Sequence, residues 1–272
     1  MNKREMSLDE IKATELSILK RFDKICREND IEYSLAFGTM LGAVRHKGFI
    51  TWDDDIDVLV KRVDYEKLMS LQYEDEKYEI KSYRYSKDYF YPFAKMIDKS
   101  TCITEDWRAE KDMGLYIDIF PLDYVNVDAP ENEHEQILNK IRARADRWDT
   151  IAYLMGHKIS HHKAFSIRYI AKFLFKLTTI PFRKRIIRHA DLLNAKEKSG
   201  NYCAMLLQLD TINPFIKADA FKNTVYLDFE DFKAPVYADY DYILTMQYGD
   251  YMTPPKPENQ KSIHWFKAYK KY

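Results

Sequence analysis

The residues with the clearest chemical capacity are acidic and crowded together. In the stretch 38–58, GTMLGAVRHKGFITWDDDIDV, four of the five positions from Asp53 to Asp57 are aspartate. Like charges packed this tightly repel one another, and folding them costs stability unless a cation neutralises them. A solvated acidic turn is the plain alternative. Ile56 to Val60 alternates apolar residues with Asp57 and predicts a strand. On such a strand Asp55 and Asp57 share one face, while Ile56, Val58 and Val60 share the face that a core buries. A further carboxylate, Asp118, stands in the apolar run Leu115 to Phe120, where an unpaired charge is expensive to bury. Where these strands are neighbours, three carboxylates converge. A hard oxygen set of that charge suits Mg²⁺ or Mn²⁺ held together with substrate phosphates.

Other residues near this cluster could handle an anion. Gly38-Thr39 lies between a predicted strand, Tyr33 to Phe37, and a short predicted helix, Met40 to Arg45. Glycine permits close backbone approach, and a helix start presents free amides. Arg45 and His46 end that helix. They either contact phosphates, a task suited to a planar guanidinium, or cap the helix as cations. Lys95 is a lone cation between Phe93-Ala94 and Met96-Ile97, and is either a phosphate contact or a solubilising charge on an edge strand. His161 and His162 lack partners at metal spacing and read as surface residues.

Gly-Thr, then Asp55-Ile56-Asp57, then a single Asp118 among apolar residues resembles the three-part signature of the DNA polymerase β-type nucleotidyltransferase superfamily. The run GTMLGAVRHKGFITWDDDID resembles, almost letter for letter, the core motif of the LicD family. That family includes bacterial phosphocholine transferases and the fukutin-related glycan phosphotransferases. The resemblance continues in CRENDIEYSLAFGT, in GLYIDIFPLD, and in YGDYMTPPKPENQ followed by His264. Thr51 departs from it, standing where the family usually has Pro before the Trp, and 131–202 carries no family motif.

The resemblance implies an α+β fold, with a nucleotidyltransferase-like mixed sheet flanked by helices. It implies that Asp55 and Asp57 hold a catalytic divalent metal, and that Asp118 completes the site or takes the proton of the attacking hydroxyl. Gly38 and Thr39 would contact the donor phosphates, and His264 enters as a substrate contact on the family tail alone. Similar members move phosphocholine from CDP-choline to a sugar hydroxyl of a teichoic acid or lipopolysaccharide precursor, so CDP-choline and a lipid-linked glycan are the expected partners. Choline is a quaternary ammonium, which proteins grip with aromatic faces. The candidates are Trp52, Tyr85, Tyr89, Phe90, Tyr91, Trp107 and Tyr116, with Trp52 favoured because it adjoins the acidic run. Two rival readings are a nucleotidyltransferase that moves NMP onto a sugar or small molecule, and a non-catalytic cation- or glycan-binding module.

The elements that must position these residues can be read from periodicity. Ser7 and Glu10 have capping-box spacing, and Leu8, Ile11, Ile18, Phe22 and Ile25 predict an amphipathic helix to about Arg27. A helix over Val63 to Leu71 follows the Asp57 strand. Tyr78 to Tyr85, Phe93 to Asp98 and Leu115 to Phe120 predict strands, the last closed by Pro121. Helical spacing then runs through Ile137, Ile141 and Trp148 towards Leu193. The chain reads as a catalytic core over 1–128 and a mainly helical region over 129–272, whose last segment returns to the core.

Composition bounds the rest. The 272 residues carry 43 Lys plus Arg against 43 Asp plus Glu, so nothing marks a nucleic-acid partner. Three widely spaced cysteines form neither a disulfide framework nor a zinc site. No apolar signal core follows Met1, and no apolar run approaches the ~20 residues that span a bilayer. Cytoplasmic placement is expected. From 158 to 188 there are nine Lys or Arg and no Asp or Glu, interleaved with aromatic and aliphatic residues. This is the pattern of an interfacial helix pair, so peripheral contact with the inner face of an anionic membrane is also expected; a core helix with a cationic face is the alternative.

Overall fold

The computed structural model describes residues 3–86, 89, 91–104, 113–156, 174, 178, 182–206, 213–260 and 266–272. Strand β1 (Lys3–Glu5) leads into helix α1 (Leu8–Glu28). Ser7 Oγ accepts the Glu10 amide at 3.3 Å, and the Glu10 carboxylate accepts the Ser7 amide at 3.0 Å, so the capping box forms. Then follow β2 (Ser34–Leu35), α2 (Phe37–His46), β3 (Asp57–Lys61), α3 (Arg62–Leu71), β4 (Tyr78–Lys81), β5 (Ala94–Asp98), β6 (Thr101–Thr104) and β7 (Tyr116–Val125). The remaining elements are α4 (Glu131–Gly156), α5 (Arg183–Asn194), β8 (Tyr202–Ala204), β9 (Ile216–Lys217), β10 (Thr224–Phe229), β11 (Phe232–Tyr237), α6 (Tyr240–Tyr248) and β12 (Lys267–Lys271). The fold is α+β, as expected.

The central sheet is mixed, in the order β2-β3-β7-β5-β4, with β8 and β9 joined through β7. Only β3 and β7 run parallel; the other pairs are antiparallel. Val58, Val60, Ala94, Met96, Ile117 and Ile119 all have no exposed surface, and they pack with Ile18, Leu19 and Phe22 of α1 in one core. Each such side chain contributes on the order of 2 kcal/mol by leaving water. By strand alternation, Asp57, Lys95 and Asp118 project to the opposite face.

Four expectations change. The strand predicted over Tyr33 to Phe37 shrinks to Ser34–Leu35, and α2 begins at Phe37 instead of Met40. The first helical turn closes through the Met40 amide, which donates to Ala36 O at 3.0 Å, and the Asp57 amide ties that turn to β3 by donating to Thr39 Oγ1 at 2.8 Å. Asp55 lies before β3, which starts at Asp57, so strand alternation does not set its direction. Pro121 does not close its strand. It pairs with Val60 on the β3 side, and on the other side it falls between the β5 pairing, which ends at Ile119, and the β8 pairing, which begins at Asp123. No donor is asked of it there.

Beyond residue 128 the helical expectation holds for α4 and α5 and fails after Tyr202, where β8 to β12 appear. Hairpin β10-β11 turns at Glu230, whose φ is 56°, and its tip holds the loop after α2: Glu230 N–H donates to Lys47 O at 2.8 Å, and Phe49 N–H to Glu230 Oε1 at 2.9 Å. Strand β12 pairs with both β1 and β6. Most of 158–188 lies outside the described residues. Its end forms α5, where Ile187 is buried against Tyr83, Tyr89, Met113 and Tyr116. No helix among the described residues is long and apolar enough to cross a membrane.

Candidate active site

The site is built from one rung of the central sheet. Asp57 on β3 is the register partner of Asp118 on β7, and Asp118 is the partner of Lys95 on β5. Neighbouring strands lie about 4.8 Å apart, so two carboxylates and an ammonium stand in a row. The Asp118 amide donates to Ile56 O at 2.9 Å, extending the β3–β7 contact one residue towards the acidic loop. Lys95 Nζ donates to Asp118 Oδ1 and forms an ion pair with it. Lys95 is 1 % exposed, and its Nζ lies 3.5, 4.7 and 5.3 Å from the ring centres of Tyr116, Tyr91 and Phe93. Because β5 lies between β4 and β7, Lys95 is not a solubilising charge on an edge strand.

The acidic loop folds back over the start of α2. The Asp53 amide donates to Ile50 O at 3.0 Å, closing a turn that sets the carboxylates above Gly38. A Cβ on Gly38 would stand 2.8 Å from Asp53 Oδ2, so the Asp53 carboxylate lies directly over this position and would have to shift for any larger residue. Thr39 is buried, and its hydroxyl accepts from the Asp57 amide. Burial and the facing carboxylates of Asp55, Asp118 and Asp53 push the Asp57 carboxyl well above the usual carboxylate range, and Lys95 offsets only part of this. Asp54 is buried as well.

The flanking candidates separate. Arg45 Nη1 donates to Tyr251 O at 2.6 Å and its Nε to His46 Nε2 at 2.9 Å, so neither side chain caps α2 in the expected way. Burial lowers the pKa of both, and the Arg45 charge adds to the effect on His46. The His46 ring meets Trp52 edge-on at 6.4 Å. Of the rings considered for choline, Tyr91 and Tyr116 enclose Lys95, Tyr89 is buried with its hydroxyl donating to Phe93 O at 2.7 Å, and Tyr85 is half-buried. Phe90, Trp107 and His264 lie outside the described residues.

Two groups beside the carboxylates escaped the sequence reading. Tyr248, at the end of α6, has its phenol pushed up by burial and by Asp57, Asp53 and Asp55. Glu15 is 2 % exposed on the buried side of α1. Its signal was available: an acid at core spacing between Ile11 and Ile18. Among the described residues, no three His, Cys, Asp or Glu side chains are already gathered as a ligating group.

A mixed sheet with aspartates paired across its parallel strands, beside a Gly-Thr helix start, defines a nucleotidyltransferase-type core. The LicD/FKTN/FKRP nucleotidyltransferase-domain model matches residues 30–189, more than half the chain, and the protein belongs to that family. It is 29% identical over 283 aligned positions to the lipopolysaccharide cholinephosphotransferase LicD of Haemophilus influenzae, covering 98% of this chain and 99% of the relative. A 58-residue stretch is 40% identical to an uncharacterised protein of Rickettsia typhi, covering 21% of this chain and 19% of that protein.

Proposed function

We propose that the protein transfers phosphocholine from CDP-choline to a sugar hydroxyl of a cell-surface glycan precursor, of lipopolysaccharide or teichoic acid type, with release of CMP. Phosphocholine transferase activity rests on the end-to-end similarity to the Haemophilus enzyme. The donor, the metal and the acceptor are our extension of it. The observation that carries the reading is Asp57 opposite Asp118 on adjacent parallel strands, with Asp53, Asp54 and Asp55 at their head.

The donor set fits Mg²⁺ or Mn²⁺. It is all hard oxygen, and Asp57 is costly to ionise without added positive charge. Asp55 and Asp57 would hold the ion, with Asp118 completing the set. When bound, the ion neutralises charge on the phosphate oxygens as the reaction proceeds. The chain's own groups do the rest. The α2 start lets the donor phosphates approach the backbone at Gly38, and Arg45 lies at the other end of that helix. Lys95 sets a positive charge beside Asp118. The acceptor hydroxyl gives its proton to the Asp118 carboxylate as its oxygen attacks the phosphorus nearest choline. The bond from that phosphorus to the bridging oxygen breaks, and CMP leaves.

Contact of the basic segment 158–188 with the inner membrane surface belongs to the same proposal, supported by sequence pattern. Sedimentation with anionic liposomes at low salt is expected, and loss of that binding at high salt. The central test incubates the protein with CDP-choline, Mg²⁺ and lipid-linked oligosaccharides. Mass spectrometry should find CMP and a phosphocholine-bearing glycan. Pyrophosphate and a nucleotide-bearing product from an NTP would favour NMP transfer instead.

A further inference from the structure

The tip of hairpin β10-β11 breaks a local rule. Phe229 pairs with Phe232, so Glu230 and Asp231 make the turn, and Glu230 has a φ of 56°. A first turn residue with positive φ favours glycine or asparagine, because a larger side chain is strained in the left-handed region. Glu230 stands there with its side chain engaged. Its Oε1 accepts from the Phe49 amide at 2.9 Å, and its own amide donates to Lys47 O at 2.8 Å. The carboxylate fills the space that a Cβ on Gly48 would need. Asp231 anchors the tip to α1, accepting from Lys20 Nζ at 2.6 and 2.7 Å. Earlier on α1, Lys12 Nζ donates to Ile50 O and Thr51 O at 3.1 and 3.0 Å. Ile50 O also accepts from the Asp53 amide at 3.0 Å. The backbone over 47–53 is thus fixed, contact by contact, to the hairpin and to α1, and its far end opens the acidic run.

Backbone strain of this kind persists where the surroundings enforce it, and it collects at sites whose geometry matters. Glycine would form the turn more easily and would lose the grip on Phe49. We infer that Glu230 is a positioning residue for phosphocholine transfer, holding the loop that sets Asp53, Asp54 and Asp55 ahead of β3. It acts through that loop and not on the substrate. The inference rests on the reading above that places Asp55 at the reaction centre. Misplacing reacting groups by about 1 Å costs on the order of 100-fold in rate.

The test is CMP release by the full chain from CDP-choline, with Mg²⁺ and lipid-linked oligosaccharides, together with a melting curve of each variant. Glu230→Gly keeps the turn and removes the carboxylate. Its kcat should fall about 10–100-fold, its KM for CDP-choline should change less, and its melting temperature should hold or rise. Glu230→Gln keeps an acceptor oxygen for the Phe49 amide and should retain most of kcat. Gly48→Ala displaces the carboxylate from the other side and should lower kcat as Glu230→Gly does. The double variant should lose little more than either alone, because both act through one contact. Unchanged kcat in Glu230→Gly, beside an inactive Asp55→Asn, overturns the role of Glu230 alone. Unchanged kcat in Asp55→Asn, or no turnover by the wild-type chain, overturns the underlying reading and the inference with it. An equal loss in Glu230→Gln and Glu230→Gly, or a Glu230→Gly chain that melts lower, shows that the residue serves the hairpin and also overturns the inference.

Discussion

Two clusters of acids lie on the central sheet, and their carboxylates face different surroundings. Around Arg62 the charges are matched. Arg62 holds Asp123 in a two-point contact at 2.6 and 2.8 Å, and reaches Asp191 at 2.8 Å and Glu66 at 3.2 Å. Arg84 reaches Asp191 at 2.8 Å and also pairs with Glu66, and the Tyr83 hydroxyl donates to Asp191. Two guanidiniums thus serve three carboxylates and knit α3, β7 and α5 together. Around Asp57 the arrangement differs: Asp53, Asp55 and Asp118 all act on the Asp57 carboxyl with the same sign, and Lys95, paired with Asp118, offsets part of their effect. Guanidiniums locked onto carboxylates hold structure, whereas carboxylates that perturb one another are the kind of arrangement functional sites use.

The sharpest way to break this contrast is to remove a carboxylate from the cluster around Asp57. Asp57→Asn should lower phosphocholine transfer at least about 10³-fold, ~4 kcal/mol of barrier, without lowering the metal-free melting temperature. Turnover assays and thermal melts on the same sample check both halves. Removing a partner from the matched cluster should do the reverse. Arg62→Met strands Asp123 and leaves Asp191 to Arg84 and Tyr83, and should cost about 3–5 kcal/mol in urea unfolding.

Lys95 lies between the two regimes. Lys95→Met should cost about 2 kcal/mol by taking the ammonium partner from half-buried Asp118, and Mg²⁺ should restore part of that loss. The smallest effect is in pH dependence. Asp57 holds its proton more tightly folded than unfolded, so its contribution to metal-free stability falls as pH rises above about 4 towards its folded value. The fall is at most about 1.4 kcal/mol per pH unit. Melting curves of the wild-type chain should show this decline, Asp57→Asn should flatten it, and saturating Mg²⁺ should do the same.

Much of the site was legible before the fold. The strand patterns of 56–60 and 115–120 announced two strands, each carrying a carboxylate, and β3 and β7 are adjacent with those aspartates in register. The capping box at Ser7 was equally plain, because its two hydrogen bonds join residues three apart. Less was visible wherever a long-range partner decided the outcome. Pro121 reads as a strand stop until β3, β5 and β8 are known to leave it no donor to supply. Gly38 and Thr39 read as the junction before a helix at Met40, whereas the structure includes them in α2, with Thr39 Oγ1 accepting from the Asp57 amide.

Sequence alone determined the family, the α+β class and the identity of the acids, because residue types and short spacings are local properties of the chain. Only the tertiary structure decided which charges are matched. Arg62 meets Asp191 across 129 positions, Lys95 enters a cage of three rings, and burial on α1 and the charges of the 53–55 run hold the Glu15 carboxyl well above the usual range. Coulomb energy depends on distance through space and on the water excluded along it. Spacing along the chain carries neither quantity.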